Sequence, residues 1–280
     1  MNKNPKNFLL IFCLLLSGIS YSQKQACDTC STKKKLKGSF YFLWGYNRDW
    51  YAKSTIHFRN EGDPAKDNQF GSYDFKIYDV TAQDRPDFHQ LNDITNFSIP
   101  QFSTRIGYYF NDKNDQGIEL NYDHSKYVVN DWQKVRIKGT AHGTSFDKDT
   151  VLNPNYIHFE HTDGANFALV NYVKRWKLKT SNNKKHTIAA VIKPGIGFVY
   201  PRTDVTIFES RLNNDWHIAG ACVGLETGIR GELWKHFTFE LTGKGVAANY
   251  SKCLVQGKGN GKASHRIACF EAIFCLGYTL

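Results

Sequence analysis

The densest grouping of metal-binding side chains is His158-Phe159-Glu160-His161, with Asp163 just beyond it. Two imidazoles and two carboxylates in so short a span have the donor atoms of a zinc-type centre. On a strand, however, residues three apart face opposite ways, so one ion would not reach both histidines as it does in a helical zinc motif. His124 and Ser125 supply a base and a nucleophile, and being adjacent they too diverge on a strand. Asp112-Lys113-Asn114-Asp115-Gln116-Gly117 has the oxygen-rich look of a calcium loop, yet the same residue types make a tight turn. Cys27 and Cys30, in Cys-Asp-Thr-Cys, have the spacing of a redox or metal half-site. In a polar stretch with no strand-to-helix context they read as a local disulfide or as part of a frayed tail. Whether any of these groups does chemistry depends on the elements that carry them.

From Gly38 onward the chain alternates with a period of two, and no three-turn helical stripe interrupts it. Phe102, Thr104, Ile106, Tyr108 and Phe110 share one face; Ser103, Arg105, Gly107 and Tyr109 share the other. Ile118, Leu120 and Tyr122 stand against Glu119, Asn121 and Asp123 in the same way. The reading is all-β, with eight strands near 38–48, 101–111, 117–129, 164–176, 186–200, 215–230, 236–248 and 264–280. Each is longer than the five or six residues usual in soluble sheets. Short turn-forming clusters follow the second, fourth and sixth strands, and long polar connections follow the first, third, fifth and seventh. Within the long connections Tyr73, Phe75 and Ile77 alternate with polar residues, as do 134–138 and 156–160. The last two segments are expected to extend the third and fourth strands outward as one hairpin.

Residues 1–22 have the layout of a signal peptide: Lys3 and Lys6, an apolar run from Phe8 to Leu16, and small Ser20 and Ser22 before the expected cut. Residues 23–37 form a basic segment, and 38–280 the folded body. Six cysteines remain after Cys13 is removed, and fifteen pairings are open to them. A mean hydropathy of −0.48 leaves no room for a bundle of membrane helices, so only strands would place this chain in a bilayer. The net charge of +10 is concentrated in 23–37 and around the second short turn, where Lys174, Arg175, Lys177, Lys179, Lys184 and Lys185 cluster. That distribution is not a groove-binding patch, and no nucleic acid partner is expected.

The final strand places Phe270, Phe274, Leu276, Tyr278 and Leu280 on one face and ends the chain there. With the export signal and the asymmetry of its connections, the chain resembles the eight-stranded bacterial outer-membrane β-barrel superfamily. The resemblance implies an eight-stranded antiparallel up-and-down transmembrane β-barrel with long extracellular loops. It also implies a place in the cell outer membrane after signal-peptide cleavage, contact with outer-membrane lipids, and recognition of the C-terminal strand by the barrel-assembly machinery. Trp44, Tyr46, Tyr108, Trp176 and Tyr278 fall where interfacial aromatic girdles would lie.

The opposite face carries Arg105, Glu119, Asp123, Lys193, Glu226, Arg230, Glu240, Lys244 and Glu271, four bases against five acids. An eight-stranded barrel is only wide enough for side chains to fill it, so these are expected to form a paired network that closes the lumen. A soluble lipocalin-like barrel would reverse the two faces. Function is expected in the outer loops, as non-enzymatic surface binding or an envelope-structural role, without catalytic residue, metal or cofactor. One rival is binding or passage of small hydrophobic molecules through a lateral opening. Another is the lipid A acyl hydrolase activity found within the superfamily. That activity needs an outward-facing Ser and His alternating on one strand, and His57-Phe58-Arg59 offers Arg59 where the nucleophile should stand.

Overall fold

A computed structural model describes residues 38–62, 71–85, 101–110, 115–257 and 259–280. The expected signal peptide, the basic segment with Cys27 and Cys30, and Asp112 to Asn114 lie outside the described residues. The strands, in chain order, are β1 (Ser39–Tyr51), β2 (Ser54–Asn60), β3 (Tyr73–Val80), β4 (Ala82–Gln83), β5 (Phe102–Tyr109) and β6 (Gln116–His124). They continue with β7 (Tyr127–Val129), β8 (Lys134–Ala141), β9 (Thr144–Val151), β10 (Ile157–His161), β11 (Phe167–Thr180) and β12 (Thr187–Val199). The last are β13 (Asp204–Ile207), β14 (Ser210–Asn213), β15 (Gly220–Leu233), β16 (Phe237–Leu254) and β17 (Lys262–Thr279). No helix occurs among the described residues.

Eight of these strands close a ring. β1 pairs with β5, β5 with β6, β6 with β11, β11 with β12, β12 with β15, β15 with β16, β16 with β17, and β17 returns to β1, every pair antiparallel. This is the expected eight-stranded up-and-down barrel, and its closure leaves no unpaired sheet edge around the ring. The burial is inverted relative to a water-soluble barrel. Leu120, Ile196, Leu241 and Phe270 are between 51% and 69% exposed on the outer wall, while Arg105 and Glu119 are fully enclosed. The outer belt ends near Ala247 and Ala268, because the next outward pair up the wall is Asn249 against Arg266. β16 and β17, at 18 residues each, are about 60 Å long at 3.3 Å per residue. They overshoot an apolar band of about 25 Å and rise into the elements above it.

Those elements form a crown over the long-connection end. β2 pairs with β17 and β3, β3 with β8, and β8 with β9; β10 pairs with β13 and β7. The Tyr73 alternation is thus a strand, but the segments at 134–138 and 156–160 are not one hairpin. β8 instead turns back on β9 through the two-residue turn His142-Gly143, with φ of 51° and 74°, the left-handed geometry that matches strand twist. The nearer partner captures β8 before β10 is reached. Phe208 and Glu209 make a second such turn between β13 and β14 without glycine. The Phe208 ring holds that geometry by packing on His142, Tyr73 and Tyr156, with ring centres at 4.7, 5.6 and 5.7 Å.

One apolar core runs from the upper ends of the barrel strands into the crown, and a smaller one of Tyr41, Leu43, Tyr109, Val173, Ile273 and Cys275 lies at the short-turn end. Charged side chains fill the space between them. Arg175 corrects the sequence reading. It belongs to the inward row Phe167, Leu169, Asn171, Val173, Arg175 rather than to the solvent-facing charge run. Its guanidinium meets Glu232 and lies 5.0 Å from the Tyr109 ring centre.

Candidate functional site

The nine charged residues expected inside the barrel all lie there, each at most 1% exposed. Lys193 is their hub. Its Nζ contacts Glu240, and donates to Glu226 at 3.1 Å and to Glu119 at 3.2 Å. Arg105 reaches Glu226 at 3.0 Å, and Arg230 reaches Glu240 at 2.6 Å. Higher up, Lys244 pairs with Asp123, and with Glu271 at 3.2 Å. Asp49 joins this upper group through Asn47, whose amide donates to it at 3.1 Å. Sequence parity missed Asp49 because β1 was expected to end at 48. Paired in this way, charges that would each be costly in an apolar interior fill the lumen as a closed lattice.

The floor of the lattice depends on one close approach. Tyr41 donates its hydroxyl to Glu119 at 2.8 Å while its ring lies flat across Gly107. A Cβ at position 107 would stand 2.0 Å from Tyr41 Cζ, and the buried ring has no room to swing. Gly107→Ala is expected to destabilise the barrel by about 1–3 kcal/mol, the usual range for overpacking. A drop in the urea midpoint of refolded protein measures it, and an unchanged midpoint would show that the ring moves freely.

A second arrangement lies on the crown, in a cleft of about 370 Å³ lined by Arg85, Asp131, His158, Glu160, Glu209 and Arg211. His158 bridges two carboxylates, Nδ1 to Asp131 at 2.8 Å and Nε2 to Glu160 at 3.2 Å. Both partners only accept, so both ring nitrogens donate and the ring is imidazolium. Burial alone would lower the His158 pKa, but hydrogen bonds and charge from Glu160 and Asp131 outweigh it and hold the group above its ordinary value. Burial would raise Glu160, and the His158 hydrogen bond and the Arg85 charge bring it down to about 2 instead. The linkage sign follows: the His158 contribution to stability is fully present below the unfolded value of about 6.5 and is lost as pH rises through the elevated folded value. Protease resistance of the crown is expected to fall over that window in the wild type. His158→Gln should flatten the dependence; an identical slope in the variant would exclude His158 as its source.

Elsewhere the structure separates what the sequence placed together. Ser125 Oγ donates to Glu271 inside the barrel at 2.9 Å, whereas His124 Nδ1 bonds Asn166 at 2.8 Å. They form no nucleophile–base pair and neither faces lipid. His57 bonds Asp74 at 2.6 Å across β2 and β3. Asp115 is 3.7 Å from Lys174. Cys222, Cys253, Cys269 and Cys275 are all buried free thiols.

His158 and His161 diverge, as strand geometry requires, but His161 meets new neighbours. Its Nε2 lies 3.1 Å from Nε2 of His265 and 3.9 Å from Sγ of Cys253. His265 is on β17 and Cys253 near the end of β16. Cys253 faces inward only because the register slips between Tyr250 and Cys253. In a regular strand these two, three apart, would face opposite ways, whereas the extra residue of the bulge aims both at the interior. That irregularity has no signature in the sequence, so the trio was not foreseen. Tyr250 stacks on His161 with ring centres 5.0 Å apart, and Tyr127 and Phe159 close the sides.

No protein-family model matches the chain, and no curated protein matches it. Among solved structures it is similar to Ail, the attachment invasion locus protein of Yersinia pestis, in complex with the heparin analogue sucrose octasulfate. That similarity is at 8% identity over 87% of this chain and 99% of the other, with a TM-score of 0.32. It is also similar to the outer membrane protein OprG from Pseudomonas aeruginosa (12% identity, 87% and 96% covered, TM-score 0.39). The outer membrane protease OmpT from Escherichia coli is a third (9% identity, 90% and 99% covered, TM-score 0.40). The likeness lies at the level of fold.

Proposed function

We propose that this chain is a non-enzymatic outer-membrane protein whose barrel is an anchor and whose crown, facing out of the cell, is a binding surface. The observation that carries the reading is the crown itself. Nine strands among the described residues are built over a shared apolar core, which makes a rigid platform for recognition. On that platform Arg85 and Arg211, 45% and 66% exposed at the side chain and oriented by Glu160 and Asp204, flank the cleft, and their outward N–H groups would take an acidic group of a surface polymer or peptide. The filled lumen speaks for anchoring rather than for passage of small hydrophobic molecules, and the inward Ser125 speaks against an acyl hydrolase.

The same reading gives the outer wall a partner. A shallow trough of about 530 Å³ is lined by Ala221, Val223, Ala247 and Ala268, with Lys53 and Arg266 at its upper margin. Small apolar side chains below two cations suit an acyl chain beneath an anionic lipid headgroup. The outward row of β17 would be what the barrel-assembly machinery reads.

Two measurements test this. Fractionation followed by electrophoresis with and without boiling should place the protein in the outer membrane with a heat-dependent mobility shift. Purified protein applied to an array of acidic oligosaccharides and acidic peptides should bind a subset, and Arg85→Ala with Arg211→Ala should abolish that binding while keeping the shift. Recovery as a soluble periplasmic protein overturns the placement; retention undiminished by the two substitutions overturns the cleft.

A further inference from the structure

The polar groups of His161, Cys253 and His265 sit at the centre of the crown, outside the proposed binding cleft and unused by it. Their ligand atoms lie within 4.8 Å of one another, and all three residues are buried. Nδ1 of both imidazoles has no protein partner, so each ring makes its polar contacts through Nε2, within the group. The two Nε2 atoms face each other, and that of His161 also faces the sulfur. A tetrahedral ion with metal–nitrogen bonds near 2.05 Å and a metal–sulfur bond near 2.3 Å would set nitrogens about 3.3 Å apart and nitrogen to sulfur about 3.6 Å apart. The separations of 3.1 and 3.9 Å are each within a few tenths of those values.

We propose that these three residues form a buried site for one thiophilic d10 cation, Zn²⁺ or Cu⁺, which staples β10 to the terminal β16–β17 hairpin. The donor set selects the class: one sulfur and two imidazoles suit soft or borderline ions, and no carboxylate belongs to the group that would favour calcium or magnesium. Neutral imidazoles and a thiolate are the forms that bind such an ion. The aromatic walls of Tyr250, Tyr127 and Phe159 keep bulk water from the site. Three donors are complete for Cu⁺ and leave Zn²⁺ a fourth position. The staple joins residues 92 apart in sequence, and it would raise crown stability with free ion concentration as any ligand of the folded state does.

The test uses mature full-length protein refolded in detergent after chelation, with the heat-dependent mobility shift as the fold control. One equivalent of Zn²⁺ or Cu⁺ is added, and metal content is read by mass spectrometry after gel filtration. The expected result is one ion per chain and a rise in thermal midpoint. Both should be lost in Cys253→Ala and in His265→Gln and kept in Cys222→Ala, whose thiol lies outside the trio. Retention of Zn²⁺, with a sulfur-to-cobalt charge-transfer band on Co²⁺ substitution, assigns zinc. Retention of Cu⁺ against bicinchoninate, without retention of Zn²⁺, assigns copper. Folded wild type that holds neither ion overturns the proposal, as does retention equal in both ligand variants. Should Cys253→Ala fail to fold, His265→Gln together with wild-type metal content decides.

Discussion

Lys193→Met is expected to cost about 3–5 kcal/mol, the range found when one partner of a buried charge group is removed. Methionine nearly matches the lysine stem in shape, so packing is kept and the loss is electrostatic. Three carboxylates contact the ammonium, from Glu119, Glu226 and Glu240. Arg105 and Arg230 remain beside them, at 3.0 Å from Glu226 and 2.6 Å from Glu240, so two cations would face three anions among side chains that are all enclosed. Glu119 is the carboxylate left with the weakest compensation, because its remaining cations, Arg105 and Arg230, are both 3.6 Å away. A glutamine there still accepts from Tyr41, which makes Lys193→Met with Glu119→Gln the informative double variant. It should recover part of the loss, and the coupling appears in a double-mutant cycle on urea midpoints. A single-variant loss below about 1 kcal/mol would mean that water reaches the lattice and screens it.

That lattice was legible because long strands with strict alternation assign a face to every residue. Arg105, Glu119 and Lys193 follow from parity alone once the outward rows of Ile106, Leu120 and Ile192 are recognised. Parity fails where a strand's end is misjudged, which is how Asp49 was missed, and where composition overrides it, which is how Arg175 was grouped with the basic turn. The crown was far less legible. Its short strands pair with elements distant in sequence, its Phe208-Glu209 turn lacks the glycine or asparagine that marks such turns, and the inward aim of Cys253 depends on a bulge. Each of these is decided by packing among residues that no local pattern connects. The His158–His161 spacing shows both sides of this: strand geometry correctly separated the two rings, but only the fold supplies His161 with Cys253 and His265.

Phe58→Ala is expected to remove about 3–5 kcal/mol from the crown, the usual cost of deleting a buried ring and leaving its cavity. Phe58 is fully enclosed on β2, stacked on Phe75 with ring centres 5.3 Å apart and edge-on to Phe159 at 5.7 Å. It therefore ties the β2–β3 pair to β10, two parts of the crown that share few backbone contacts. The lower barrel does not depend on that ring. Its apolar floor around Tyr41 and Tyr109 is a separate cluster, and the charged lattice stands between. Limited proteolysis should then cut the variant within 52–62, 71–85 or 125–166 under conditions where the wild type resists at those positions, while unboiled protein keeps its fast mobility. Loss of the mobility shift would instead mean that crown and barrel form one cooperative unit. The distinction bears on function, because a crown that unfolds apart from its anchor can be substituted at Arg85 or Arg211 without endangering membrane insertion. The binding test on those two residues then reads recognition rather than folding.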